Sequence, residues 1–210
     1  MSVYDDLSMY VQQGRVNNIK DTIASELEKG SNPKDLLQNG LLAGMAIVGD
    51  KFKNNQVFVP EVLIAARAMQ SGIDALAGAL ADEKLETKGK VVLGTVKGDL
   101  HDIGKNLVKI MMESKGLDVI DLGVDVSAEK FVETALANDA QIIACSALLT
   151  TTMAVMKQVV DLLTEKGLRG QIKVMVGGAP VTEDFKNKIG ADYYTADASS
   201  ASDVALSVYQ

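Results

Sequence analysis

From about residue 91 the chain alternates between two rhythms. Short apolar runs stand at VVLGTV (91–96), LDVIDLG (117–123), QIIACSA (141–147), IKVMVGG (172–178) and ADYYTA (191–196). Between them lie segments with helical spacing, at about 104–115, 127–138, 150–166, 182–189 and 198–208. Strands separated by helices cannot pair as hairpins. They form βαβ units, and the resulting parallel sheet must be covered by helices on both faces. Residues 91–210 are therefore expected to form a five-stranded, doubly wound, flavodoxin-like (Rossmann-like) domain. Its ligands should bind beyond the carboxyl ends of the strands, where the strand order reverses.

Residues 1–82 read as helices. Val16, Ile19, Ile23 and Leu27 share one helical face; Leu37, Leu41, Met45, Val48 and Phe52 make a second. Val62, Ala66, Met69, Ile73, Leu76 and Leu80 make a third. A leading segment around Val3, Leu7 and Val11 suggests a fourth helix. Asn32 can cap a helix that Pro33 begins, and Pro60 opens another. The expectation is a four-helix bundle over 1–82, a charged linker over 83–90, and the α/β domain after it.

Composition narrows the chemistry. Asp plus Glu is 28 against 21 for Lys plus Arg, a net charge of −7. That balance argues against a nucleic-acid partner, which favours a basic face. No apolar run is long enough to span a membrane, and the acidic start MSVYDDLSMYVQQ lacks a signal-peptide layout. A soluble cytoplasmic protein is expected. One cysteine and one histidine cannot build a zinc site, which takes three or four protein ligands. A Cys145–His101 nucleophile pair is formally open, although the buried character of QIIACSA favours an inert core thiol.

The lone histidine, His101, lies in GTVKGDLHDIGKNLV (94–108), in the loop expected after the first strand. Gly98 and Gly104 bracket it. A phosphate loop does not fit, because five residues separate the two glycines and Asn106 stands where a hydroxyl would be needed. No dinucleotide fingerprint follows the strand. One chemistry does suit a single histidine. A metal held in a macrocycle brings its own equatorial nitrogens and needs only an axial ligand, and a nearby carboxylate such as Asp99 can orient the ring.

GDLHDIGKNLV resembles the Asp-x-His-x-x-Gly motif of cobalamin-binding domains. SALLTTT (146–152) resembles their Ser-x-Leu segment, and VGGAP (176–180) resembles their Gly-Gly segment. GMAIVGDKFKNNQVFVPEVLIAARAM (44–69) resembles the helical cap of methionine synthase and of the small corrinoid proteins of methyltransferase systems. The likeness spans nearly the whole chain.

The resemblance implies cobalamin bound base-off, with His101 as the lower axial cobalt ligand. Asp99 would accept the proton-bearing ring nitrogen, and Thr152 would complete the relay where methionine synthase carries a serine. Gly98, Leu100 and Asp102 would line the corrin's lower face, beside Gly104. Ser146, Leu148 and Thr150 would contact the nucleotide tail. Gly177 and Gly178 would leave room for it, with Ala198 nearby. Phe58 would lie in the part of the cap above the cobalt. Ordinary readings stand beside these: Ser146 and Thr150 as helix caps, Asp102 as a helix-start acid, Leu148 as core, Phe58 as a bundle residue.

The function so implied is a methyl carrier, not an enzyme on its own. Partners would be a substrate-specific methyltransferase, a second methyltransferase serving a thiol or folate acceptor, and a reductive activation protein. Methanol, methylamines, betaines and methoxy-aromatics are all open as donors. The alternatives are a cobalamin-dependent sensor or regulator, which would add a DNA-binding or signalling segment, and a flavodoxin-like or receiver domain without a corrinoid. A receiver would need an aspartate ending its third strand, where Cys145-Ser146 stands.

Overall fold

The computed structural model describes residues 2–81 and 87–210. The chain divides into two compact units, Met1–Glu86 and Thr87–Gln210. Residues 83–86 of the expected linker lie outside the described residues. The end of that stretch already belongs to the sheet unit. The Lys88 N–H donates to the Gly116 carbonyl at 3.0 Å, the Asp118 N–H donates to the Gly89 carbonyl at 2.9 Å, and the first strand opens at Lys90. Hydropathy misses this start because Gly89 is there for space: a Cβ would lie 2.4 Å from the Tyr209 ring.

The first unit is helical. α1 (Val3–Gln12) is fixed at its start by reciprocal bonds: the Ser2 N–H donates to Asp5 and the Asp5 N–H to the Ser2 hydroxyl. α2 (Val16–Glu28) buries Ile19 and Ile23. Asn32 accepts the Lys34 N–H at 2.8 Å and Pro33 begins α3 (Pro33–Asp35), as expected. α3 then runs without a break through a π-helical segment (Leu36–Leu42) into α4 (Ala43–Lys53). The π segment buries Leu36, Leu37, Gly40 and Leu41. No apolar spacing at 3.6 residues per turn announces such a widened turn. α5 (Val59–Leu80) completes the four-helix unit. Its buried face includes Val62, Ala65, Ala68, Met69, Gly72, Leu76 and Leu80, while Ala66 and Ile73 stand at its margin. The centre of that face is small because neighbours come close: a Cβ on Gly72 would lie 2.6 Å from Leu41.

The second unit is the expected doubly wound sheet. Strands β1 (Lys90–Thr95), β2 (Asp118–Asp121), β3 (Ile142–Ser146), β4 (Lys173–Gly177) and β5 (Tyr193–Tyr194) are all parallel, in the order β2-β1-β3-β4-β5. Between them run α6 (Ile103–Ser114), α7 (Ala128–Ala137), α8 (Ala154–Glu165) and α9 (Glu183–Ile189), and α10 (Ala198–Ser207) follows β5. Side chains alternate across the sheet. Val92, Ile143, Val174 and Val176 pack with Phe131 and Met156 in one core; Val91, Leu93, Ile142 and Met175 pack with Met112 and Ala205 in the other. This two-sided burial is why the strands read as continuous apolar runs. The order reverses between β1 and β3. In register, Thr95 sits beside Ser146 and Ser146 beside Gly177, so three strand ends form one edge.

Candidate functional site

The β1–α6 loop leaves that edge at the switch point and carries His101. Two bonds fix its backbone there: the buried Thr95 hydroxyl donates to the His101 carbonyl at 2.8 Å, and the His101 N–H donates to Asp99 Oδ1 at 3.1 Å. The ring follows. His101 Nδ1 lies 2.6 Å from Asp99 Oδ1. The His101 side chain is 52% exposed and the Asp99 side chain 0%. Among the described residues, nothing hydrogen-bonds to Nε2, which is therefore the ring's outward donor atom.

Asp99 is a buried carboxylate held on both oxygens. Oδ2 accepts the Leu148 N–H at 2.7 Å and the Leu149 N–H at 3.1 Å. Burial alone would raise its pKa. The bonds from the His101 ring, the Leu148, His101 and Leu149 N–H groups outweigh burial and hold the carboxyl well below the usual carboxylate range. Thr152 does reach Asp99 Oδ2, at 3.3 Å, but its hydroxyl is nearer the Leu149 carbonyl, at 2.9 Å. One hydroxyl hydrogen cannot serve both fully. The expected contact of Thr152 with Asp99 is therefore present, and the Leu148 and Leu149 N–H groups of the β3–α8 loop join it on the same oxygen at shorter distances.

The other expected residues gather along the same edge. Gly98, Leu100 and Asp102 are in the His101 loop, and Gly104 is in the first turn of α6. Ser146 ends β3; Leu148, Thr150 and Thr152 follow it. Gly177 ends β4, Gly178 succeeds it at φ +124°, and Ala198 opens α10 behind the cap Asp197. The helix-cap reading of Ser146 and Thr150 fails, because α8 has Met153 at its N-cap and no side-chain cap bond. Leu148 is 44% exposed, so it is not core. Asp102 accepts the Asn106 side-chain N–H at 3.2 Å. Phe58 in the helical unit is 64% exposed and fills no bundle interior. Cys145 packs in the core with Phe131, where burial pushes its thiol pKa up, and so it is inert.

Sequence reasoning missed Thr95, the Leu148 and Leu149 N–H groups, and Asp125, whose Oδ1 accepts the Gly98 N–H at 2.7 Å. Thr95 lies inside an apolar strand run, Asp125 lies between two expected elements with no motif around it, and backbone donors leave no trace in side-chain patterns.

Two family models, each described as a B12 binding domain, match residues 3–77 and 89–204. Trimethylamine corrinoid protein 1 of Methanosarcina mazei is 44% identical over 200 residues, which cover 92% of this chain and 91% of that one. Dimethylamine corrinoid protein 2 of the same organism is 43% identical, covering 96% of each. This chain belongs to the family of B12-binding corrinoid proteins that includes these methylamine corrinoid proteins. A crystal structure of a methanol:cobalamin methyltransferase complex from Methanosarcina barkeri superposes at a TM-score of 0.88, with 31% identity, 97% of this chain and 78% of that one covered. The helical unit followed by a parallel α/β unit is the arrangement of this family.

The edge of this corrinoid protein suits cobalamin in three ways. Among the described residues, no group of three or more His, Cys, Asp or Glu could hold a bare metal ion. A single outward imidazole nitrogen is what a metal with its own equatorial ring still needs. Around His101 stand apolar side chains turned to the outside: Leu100 at 72% exposure and Ile103 at 70%, with Leu148 and Leu149. A broad, largely apolar ring would cover them. Finally, a Cβ on Gly104 would meet nothing within 4 Å. The open space over the start of α6 is what a flat ligand would fill. No helix among the described residues is long and apolar enough to cross a membrane.

Proposed function

We propose that this corrinoid protein is a methyl carrier in which His101 ligates cobalt through Nε2 and Asp99 keeps the proton on Nδ1. The observation that carries this reading is the 2.6 Å contact of Nδ1 with the buried Asp99, which leaves Nε2 outward. A neutral imidazole has one N–H and one lone pair. A carboxylate that accepts the Nδ1–H hydrogen bond keeps the proton on Nδ1, places the lone pair on Nε2 and makes that nitrogen a better ligand. When bound, the corrinoid supplies a cobalt centre that accepts a methyl group and gives it up. Asp99, through its bonds to Nδ1 and to the His101 N–H, would hold the ring aimed at the cobalt. Leu100, Ile103, Leu148 and Leu149 would exclude water beneath the ring. Ser146, Thr150, Gly177, Gly178 and Ala198 would receive the nucleotide tail.

The partner is proposed to be a substrate-specific methyltransferase, in keeping with the complex from Methanosarcina barkeri. The relatives' names favour a methylated amine as donor. A second methyltransferase would receive the methyl group, and a reductive activation protein would maintain the carrier. The test is reconstitution. Loaded with cobalamin and given mono-, di- or trimethylamine or methanol, the protein alone should transfer no methyl group, and it should turn over once its methyltransferase is added. Turnover by the purified chain alone would overturn the carrier reading.

Asp99→Asn tests the support beneath His101. The two carboxylate oxygens face donors on both sides: His101 Nδ1–H and N–H at Oδ1, Leu148 and Leu149 N–H at Oδ2. An amide has one acceptor oxygen, so in either orientation its NH2 confronts donors. A buried donor left unsatisfied costs about 1–3 kcal/mol, and a stability loss of that size is expected in urea unfolding of the variant. The pH dependence has a definite sign. Because folding lowers the pKa of Asp99, its stabilisation is present at neutral pH and is lost as pH falls below about 4, towards the folded value. The gap between wild type and variant should therefore narrow in acid. A gap independent of pH would count against an ionised Asp99.

A further inference from the structure

We infer that Asp125 is a positioning residue that clamps the His101 loop, an inference that rests on the reading of His101 as the cobalt ligand. Asp125 lies between β2 and α7, outside the loop that carries the histidine. Its Oδ1 accepts the Gly98 N–H at 2.7 Å, and its own N–H donates to the Asp99 carbonyl at 3.1 Å. These two bonds hold the backbone on both sides of the Gly98–Asp99 junction, from which the Asp99 carboxylate reaches His101. The β2–α7 loop is itself fastened. The Thr95 N–H donates to the Gly123 carbonyl at 2.9 Å and the Val126 N–H to the Thr95 carbonyl at 3.0 Å. At its root, Asp121 accepts the Gly123 N–H at 2.9 Å on one oxygen and the buried Lys105 ammonium at 2.6 Å on the other. Lys105 belongs to α6, the helix into which the His101 loop runs. One neighbouring loop thus grips the ligand loop near its start, through Asp125, and just past its end, through Lys105.

The residue type at 125 supports this role. Asp125 sits at φ +57°, in the left-handed region that glycine adopts most readily and that Asn and Asp tolerate. The turn alone would be served best by glycine. An aspartate there adds an acceptor, and the acceptor is used on Gly98, which is itself left-handed at φ +86°. Without it, the segment keeps the backbone bonds at Asp99 but loses the one at Gly98, and the aim of Asp99 towards Nδ1 loosens.

The experiment compares full-length wild type, Asp125→Gly and Asp125→Asn. Glycine keeps the turn and removes the acceptor; asparagine keeps the turn and the acceptor oxygen. Two readouts are taken: amide exchange at Gly98 in the cofactor-free protein, and the histidine nitrogen splitting in the electron paramagnetic resonance spectrum of the Co(II) cobalamin-loaded protein. In Asp125→Gly, Gly98 should exchange faster. The ratio of histidine-ligated to unligated cobalt should fall about fivefold, the equivalent of about 1 kcal/mol for one lost hydrogen bond. Asp125→Asn should stay near wild type in both. A glycine variant with wild-type ligation overturns the clamp even if it unfolds more easily, and an asparagine variant as impaired as the glycine variant overturns the acceptor role. Absence of histidine splitting in the wild type overturns the ligand reading and the clamp together. Splitting in the wild type with no loss in Asp125→Gly removes the clamp alone.

Discussion

His101→Ala, loaded with cobalamin, is expected to show the absorption spectrum of a base-off corrinoid with no histidine ligand. The change should be complete rather than graded, because His101 is the only histidine of the 210 residues and no other imidazole can take its place. The fold should survive. The ring is half exposed, and Asp99 keeps its bonds from the Leu148 and Leu149 N–H groups and from the N–H of residue 101. What is lost is the ring donor to a buried carboxylate, at a cost of about 1–3 kcal/mol in stability. Circular dichroism and urea unfolding separate this from collapse. A folded, loaded variant with the wild-type spectrum would remove His101 from the cobalt. A variant that still binds cobalamin while losing the histidine signature would place most of the binding energy in the apolar rim and the tail contacts, with the ligand bond setting the metal's state.

Much of this was legible in the sequence, for physical reasons. β3 and β4 are buried on both faces, so IIACS and KVMVG read as unbroken apolar runs. The helices between them show one wet and one dry side. His101 and Asp99 could be paired on spacing because they lie two residues apart in one loop. What escaped the sequence is whatever depends on backbone or on space. The π segment at Leu36–Leu42 has an apolar pattern compatible with an ordinary helix. The closest bonds on Asp99 Oδ2 come from main-chain donors that any residue type would supply. Asp125 acts across 27 positions of sequence, and an exposed acid in a loop carries no label of its target. Thr152, which the resemblance placed beside Asp99, does reach Asp99 Oδ2, and what the sequence did not show is the Leu149 carbonyl that shares its hydroxyl.

Gly178→Ala is expected to be far more damaging than Gly177→Ala, although the two glycines are neighbours. A Cβ on Gly177 would lie 3.4 Å from the Thr195 carbonyl oxygen, close to ordinary contact. A Cβ on Gly178 would lie 1.9 Å from the Ala147 carbonyl oxygen and 2.9 Å from its carbon, at φ +124°. The obstacle is backbone, which cannot swing aside as a side chain would. Room for a nucleotide tail is therefore not the first demand on Gly178; the contact of β4's end with the β3–α8 loop is. Backbone strain of this kind costs about 1–3 kcal/mol, and the collision adds to it, so a loss of about 3 kcal/mol or more is expected in urea unfolding of the cofactor-free protein. The site should feel it too. Ala147 directly precedes Leu148 and Leu149, whose N–H groups hold Asp99, so displacing its carbonyl disturbs both the Asp99 support and the proposed tail contacts. Gly178→Ala should therefore lose its preference for cobalamin over cobinamide, which lacks the tail base, while Gly177→Ala keeps most of it. Equal stability of the two variants would contradict the close approach at Ala147. An unchanged cobalamin preference in a destabilised Gly178→Ala would move the tail away from this edge of β4.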